Sequence, residues 1–94
     1  YGRLAALIIS GRELLAVTAK AQELARQAPH RDGVTVLGPA PAPLALLRGR
    51  HRIRFLLKTR RDIAPQAVLR SWLRGQKFPG DLRLQIDIDP YSFV

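Results

Sequence analysis

The chain contains no cysteine and no methionine, and it has only one tryptophan, two tyrosines and three phenylalanines. Without cysteine there is no disulfide framework, no thiolate nucleophile and no sulfur-ligated metal, which fits a cytosolic origin. No apolar run approaches the roughly 18 residues that a membrane span requires. Aromatic residues are too few to favour the stacking of bases on aromatic side chains that RNP-type domains use.

The length of 94 residues and the 47% content of hydrophobic residues are typical of one compact domain. We therefore expect residues 1–94 to form a single domain. Because methionine is absent even from position 1, we also expect this domain to be excised from a longer protein.

Positive charge is concentrated in one segment. Sixteen Lys and Arg residues stand against seven Asp and Glu residues, a net charge of +9. Seven of the cations and no acid fall in positions 48–61, so the rest of the chain is nearly balanced. Such clustering indicates a surface for a polyanion, and we predict that these cations contact phosphates of DNA. They are Arg48, Arg50, Arg52, Arg54, Lys58, Arg60 and Arg61.

The hydrophobic pattern predicts four strands and two helices. Strands are expected at residues 3–10, 33–38, 51–59 and 82–89, where Pro90 ends the last one. Apolar residues at steps of three and four predict a buried helix stripe from Leu14 to Ala28, and a second helix follows Asp62 and ends near Gly75. The order β-α-β-β-α-β is that of an α+β two-layer sandwich of the ferredoxin-like type, with both helices on one sheet face.

Short motifs predict where these elements begin and end. Ser10 and Glu13 have the spacing of a capping box at the start of the first helix, and Asp62 can cap the second helix. The prolines within 39–43 lack backbone N–H groups, which predicts polyproline-like backbone in a long hairpin loop that extends to Gly49.

The third strand is two-sided, because Ile53, Phe55 and Leu57 alternate with basic residues. We expect its apolar side to face the core and its basic side to lie on an open sheet face, beside apolar residues of the central strand. The sequence leaves open whether these cations are free or whether Asp87 and Asp89 neutralise them.

Residues with catalytic side chains lack the partners that catalysis needs. Asp87 and Asp89 have a spacing that can hold Mg²⁺, but a third ligand is missing from the pattern. His30 and His51 have no cysteine or spaced acidic pair to complete a zinc site. No serine has a base partner in the pattern, and no G-x-x-x-x-G-K-S/T phosphate loop occurs. We predict no catalytic residue and no cofactor in this chain.

Three strings lie near the start, in the middle and at the end of the chain: RLAALIISG, VLGPAPAPLALLRGRHRIRFLLK and DIDPYSFV. They resemble the C-terminal domain of the bacterial replication-restart helicase PriA, also called primosomal protein N′. The resemblance implies a fold like that of ribosomal protein S10, with Val94 as a natural C-terminus and Tyr1 as an artificial start. It also implies a bacterial, cytoplasmic, nucleoid-associated protein.

The resemblance further implies a role in replication restart. The parent would be an ATP-dependent 3′-to-5′ DNA helicase that uses Mg²⁺ and zinc, recognises stalled forks and initiates primosome assembly. This domain would bind DNA forks and single-stranded DNA without sequence preference and would contact the helicase core and primosome proteins. It would also hold the acidic tail of single-stranded DNA-binding protein through Arg60 or Arg61 with Gln66. The chain departs from the family pattern at Asp62, where arginine is expected.

Two alternatives stay open. The chain could be a purely protein-binding module whose basic face docks on acidic parts of its own motor or on the acidic tail. It could also be an RNA-binding domain, which the S10-like order and the high positive charge favour.

Overall fold

The computed structural model describes residues 2–89, which form four strands and two helices. In chain order these are β1 (Gly2–Gly11), α1 (Leu14–Arg26), β2 (Val34–Leu47), β3 (Arg50–Arg60), α2 (Pro65–Trp72) and β4 (Arg83–Ile88). The strands form one antiparallel sheet with the order β2-β3-β1-β4. The α+β class and the element order are confirmed, while the narrower likeness to ferredoxin-like or S10-like proteins stays a prediction. Pro90 and the end of the string DIDPYSFV lie outside the described residues.

The core lies between the sheet and the two helices. Ala5, Leu7 and Ile9 of the central strand β1 are fully buried there, together with Phe55 and Leu57 of β3. The helices contribute Val17, Ala21, Leu24, Val68, Leu69 and Trp72. Full burial of a side chain of the size of leucine stabilises the fold by about 1.5–3 kcal/mol, so this cluster is the main source of stability.

The first helix does not begin with the predicted capping box. Its N-cap residue is Glu13, and no side chain caps it. The reason is that β1 extends through Gly11, so Ser10 lies within the sheet and cannot reach the helix start. The predicted stripe is also wrong at its first position, because Leu14 is 51% exposed, whereas Val17 is buried.

The second helix also begins without the predicted cap. Its N-cap residue is Ala64, with Pro65 in the first turn and no side-chain cap. Asp62 instead accepts a hydrogen bond from Nε of Arg60 at 3.1 Å, a charge-assisted contact that competes with capping. Within residues 2–89, neither helix is long and apolar enough to cross a membrane.

The prediction of a polyproline-like loop over residues 39–43 is wrong. β2 continues through this stretch to Leu47 and pairs with β3, with two irregularities in register. The physical reason is that β2 is an edge strand, which needs N–H groups on one side only and therefore tolerates proline. At the first irregularity Gly38 has φ +108°, and a Cβ there would lie 2.7 Å from the carbonyl oxygen of Arg54.

A two-residue turn, Arg48-Gly49, joins β2 to β3 in place of the predicted long loop. Both residues have positive φ, 52° and 77°, as type I′ hairpin turns require, and glycine adopts this conformation without strain. Leu47 pairs directly with Arg50 across the turn. Arg48 therefore lies at the exposed tip of the hairpin.

Candidate nucleic-acid interface

The register of the sheet places the basic side chains of β3 on the face that the helices do not cover. Ala5, Leu7 and Ile9 of β1 are in the core, so the residues between them face the other way. We call this side the open face. Its members on the three strands β1, β3 and β4 are Leu4, Ala6, Ile8, Ser10, Arg52, Arg54, Leu56, Lys58, Arg83, Gln85 and Asp87. The predicted open face with mixed apolar and basic residues is therefore present.

The register also adds a cation that lies far from the basic segment in sequence. Ser10 of β1 pairs with Arg52 on one side and with Arg83 of β4 on the other. Arg83 lies between Leu82 and Leu84, which pack against the core. This alternation in the sequence indicates that Arg83 faces away from the core. Only the pairing of β4 with β1 shows that it lies beside the cations of β3.

Four open-face cations have no carboxylate partner among residues 2–89: Arg52, Arg54, Lys58 and Arg83. Arg52 donates from Nη1 to the carbonyl oxygens of Pro43 at 2.7 Å and Leu44 at 3.2 Å. These acceptors are backbone carbonyl oxygens without net charge, so no acidic group is paired with this guanidinium among residues 2–89. The structure thus does not adopt the alternative in which Asp87 or Asp89 neutralises Arg52 and Arg54.

Arg50, predicted to contact DNA, is held by the protein itself. Its guanidinium donates to the hydroxyl and carbonyl oxygens of Ser10 and to the carbonyl oxygen and carboxylate of Asp81. Only 16% of its side chain is exposed. These contacts tie the start of β3 to β1 and to the loop before β4, so Arg50 has a structural role.

Arg60 is paired with two carboxylates. Nη1 lies 2.8 Å from Asp32 and Nε lies 3.1 Å from Asp62. Hydrogen bonds to Asp62 and then to Asp32 raise the pKa of Arg60, so the guanidinium stays protonated. Its charge is offset locally. Arg61 next to it is exposed and forms no ion pair in the part of the chain that the structure describes.

The acids of β4 separate into two environments. Asp87 lies on the open face opposite Ala6. Asp89 follows the strand with φ +47° and accepts hydrogen bonds from the backbone N–H of Leu4 and the guanidinium of Arg3. The Leu4 contact first, and then Arg3, hold the pKa of Asp89 below its usual range. From Gly2 to Asp89 no three His, Asp or Glu side chains come together as a metal site would require.

Gln66, predicted to hold an acidic tail, lines a groove between α2 and β4. The groove has a volume of about 450 Å³. Its floor is apolar, and the residues that line it are Gln66, Leu69, Arg70, Leu73, Ile86 and Ile88. Arg70 lies one turn after Gln66, so an amide and a guanidinium share this groove. The lining does not include Arg60 or Arg61, and sequence reasoning missed Arg70.

The fold and the site define a small α+β domain whose four-stranded sheet carries helices on one face. The other face carries cations that have no carboxylate partner among the described residues. The family described as primosomal protein N C-terminal domain matches residues 1–91. The chain therefore belongs to this family, and the predicted resemblance is confirmed.

Three relatives named replication restart protein PriA come from Rickettsia species. Those of Rickettsia conorii and Rickettsia felis are 34% identical to this chain over 93 residues, and that of Rickettsia typhi is 33% identical. Each alignment covers 99% of this chain but 14% of the relative, so the chain spans about one seventh of the length of these proteins. The names associate these relatives with replication restart, and the family description associates the family with the primosomal protein N.

Proposed function

We propose that this chain is a non-catalytic DNA-binding and protein-docking domain of a replication-restart helicase. The observation that carries the proposal is the set of open-face cations without carboxylate partners among residues 2–89, which are Arg52, Arg54, Lys58 and Arg83. Arg48 at the hairpin tip and Arg61 after β3 extend this charge. A polyanion is the partner whose charge such a surface matches.

Backbone contact without base reading fits the side chains on this face. Aromatic platforms for bases are missing from it within residues 2–89, because Phe55 and Trp72 lie in the core and Phe78 packs against it. Arginine and lysine bind phosphates without sequence information. We therefore expect binding that depends strongly on salt and weakly on sequence.

The test is a titration of fluorescently labelled forked and single-stranded DNA with the 94-residue chain at two salt concentrations. Each phosphate contact contributes about 0.7 to 0.9 to the slope of log affinity against log salt. Three to four contacts on the open face would therefore give a slope of roughly −2 to −3.5. The variant Arg54→Ala/Lys58→Ala should bind more weakly and with a flatter slope.

Arg74→Ala is the matched control, because Arg74 is exposed beyond the end of α2 and also forms no ion pair within the described residues. It should bind DNA like the parent chain. Micromolar or weaker binding that ignores salt would contradict the proposal. A strong preference for structured RNA over forked DNA would favour the RNA-binding alternative.

The groove at Gln66 favours a second function, docking of the acidic tail of single-stranded DNA-binding protein. Its apolar floor can take apolar side chains of a peptide, and Arg70 can pair with a carboxylate. Among the residues predicted for this tail, Gln66 lines the groove. Arg60 is engaged by two carboxylates of its own chain, and Arg61 is exposed nearby in sequence.

A peptide titration separates the two functions. An acidic peptide that ends in apolar residues should lose affinity for Arg70→Glu and for Gln66→Ala, while DNA binding of both variants stays within about twofold of the parent, because neither residue lies on the open face. Charge reversal at Arg60 and Arg61 tests the predicted pair. Loss of peptide binding only with that reversal would assign the tail to Arg60 and Arg61 and contradict the groove.

We propose that the helicase activity, with its ATP, Mg²⁺ and zinc, belongs to the rest of a longer protein that contains this domain, and that this domain also contacts the helicase core and primosome proteins. We also propose a cytoplasmic, nucleoid-associated location, because DNA is the proposed partner.

A further inference from the structure

A pocket of about 300 Å³ lies on the open face near the β2–β3 hairpin. Its polar lining consists of Ser10, Arg48, Arg50, Arg52, Arg83 and Gln85. Leu47 and Leu84 complete the wall. Four arginines therefore line one concavity, and the lining contains no carboxylate. The carboxylate of Asp81, which is outside the lining, pairs with Arg50.

The register of the sheet explains why the pocket is concave. Arg52 and Arg83 flank Ser10 on the two neighbouring strands. Adjacent strands are about 4.8 Å apart, so the backbones of the two arginines are separated by roughly 10 Å. The side chain between them is a short serine, and the two long side chains can approach an anion from opposite sides.

Arg50 shapes the pocket without being free to bind. Its guanidinium donates hydrogen bonds to Ser10 and Asp81. These bonds hold Arg50 in place in the lining of the pocket. Arg52 uses Nη1 for two carbonyl oxygens, and within residues 2–89 its Nε and Nη2 groups have no acceptor. Arg52, Arg83 and Arg48 are therefore the groups that can take a ligand.

We propose that this pocket binds one phosphate group of a DNA strand, with Arg52 and Arg83 as its two donors and Arg48 as a third at the hairpin tip. Arginine forks match the oxygens of a phosphate, and a concave site strengthens their attraction. Leu47 offers apolar contact to the adjoining sugar. This inference rests on the proposed function and names the phosphate site on that face.

DNA is favoured over an acidic peptide because the pocket continues into a charged surface. Arg54 lies two residues beyond Arg52 on β3 and faces the same way, at about 6.7 Å along the strand. Lys58 extends the same face farther along β3. A strand with a charge on every nucleotide can use the pocket and these cations together.

The experiment is a titration of labelled single-stranded DNA with Arg83→Ala, Arg52→Ala, Arg54→Ala and the control Arg74→Ala at several salt concentrations. Arg83→Ala and Arg52→Ala should each lower the affinity by roughly tenfold, because each removes one donor to the same phosphate. The double variant Arg52→Ala/Arg83→Ala should flatten the salt slope by about 0.7, because it removes both main donors to that phosphate. Arg83→Lys should recover part of the affinity, since lysine keeps the charge but not the fork. Arg74→Ala should change the affinity by less than about twofold.

The outcomes separate this inference from the proposed function. Suppose that Arg83→Ala and Arg52→Ala bind DNA like Arg74→Ala, while Arg54→Ala binds DNA weakly. The phosphate site in the pocket is then contradicted, and DNA binding by the open face is supported. If the parent chain binds neither forked nor single-stranded DNA, the phosphate pocket and the proposed DNA-binding function are both contradicted. If Arg83→Ala loses an acidic peptide but keeps DNA, the pocket is a carboxylate site and the inference is overturned. Thermal unfolding monitored by circular dichroism verifies that each variant is folded.

Discussion

Arg50 donates hydrogen bonds to the hydroxyl oxygen of Ser10 at 3.2 and 3.4 Å and to its carbonyl oxygen at 3.1 Å. The same guanidinium reaches the carbonyl oxygen of Asp81 at 2.7 Å. One of the seven cations in the basic segment is therefore part of the framework that holds the others. The number of cations in the basic segment is therefore larger than the number that can bind a ligand.

This arrangement predicts that Arg50→Ala lowers the free energy of unfolding by about 2 kcal/mol, the usual contribution of hydrogen bonds to charged groups. Chemical denaturation followed by circular dichroism measures it. Lys58→Ala is the control, because Lys58 is exposed and should change stability by less than about 0.5 kcal/mol. Equal denaturation midpoints for the two variants would show that Arg50 does not anchor the sheet.

Arg60 and Lys58 should differ in DNA binding although both belong to the basic segment. Asp32 and Asp62 already offset the charge of Arg60, whereas Lys58 has no ion pair within residues 2–89. We expect Lys58→Ala to reduce the salt slope by about 0.7 to 0.9 and Arg60→Ala to reduce it by much less. Fluorescence titrations at several salt concentrations give both slopes. A larger effect for Arg60→Ala would mean that DNA displaces its carboxylate partners.

Trp72 packs edge-to-face on Phe55, with ring centroids 5.4 Å apart, and donates from Nε1 to the carbonyl oxygen of Leu24 at 3.0 Å. Trp72→Phe should cost about 1–2 kcal/mol through the lost hydrogen bond and volume. Trp72→Ala should cost about 3–5 kcal/mol because it leaves a cavity as well. Trp72 is the only tryptophan, so circular dichroism must monitor unfolding. Equal losses for both variants would show that ring packing contributes little.

The sequence predicted the element order and the two faces of β3 because alternation is a local property of the chain. Ile53, Phe55 and Leu57 lie inward as expected. It failed where a distant partner decides the outcome. Ser10 has the residue type of a helix cap, but its hydroxyl oxygen accepts a hydrogen bond from Arg50, which lies far along the chain. Asp62 is a local exception, because its carboxylate accepts a hydrogen bond from the nearby Arg60.

The candidate site shows the same limit. The prolines of β2 predict a loop, because proline is tolerated in a strand only at a sheet edge. The edge position of β2 is visible in the sheet order and not in the sequence. Arg83 joined the site only through the pairing of β4 with β1, and the lining of the groove at Gln66 depends on how α2 packs against β4. Cross-strand register and helix packing are long-range properties that one sequence does not reveal.

Asp89 predicts how stability changes with acid. Its pKa is lowered from the usual value of an aspartate in the folded chain, first by the backbone N–H of Leu4 and then by Arg3. A group with a depressed folded pKa contributes stability above its unfolded pKa, and that contribution is lost as the pH falls through the folded value. Asp89→Asn should therefore be less stable than the parent chain at about pH 6, and the difference should shrink below about pH 4.

Asp87→Asn is the matched control for this effect, because Asp87 lies two residues away and forms no ion pair within residues 2–89. Thermal unfolding from about pH 6 to about pH 2 should give parallel curves for the parent chain and Asp87→Asn. The curve for Asp89→Asn should converge on the parent curve in acid, since protonation removes from the parent the carboxylate charge that the variant already lacks. A constant gap between the Asp89→Asn and parent curves across this range would mean that the interactions with Leu4 and Arg3 do not depend on the charge of Asp89.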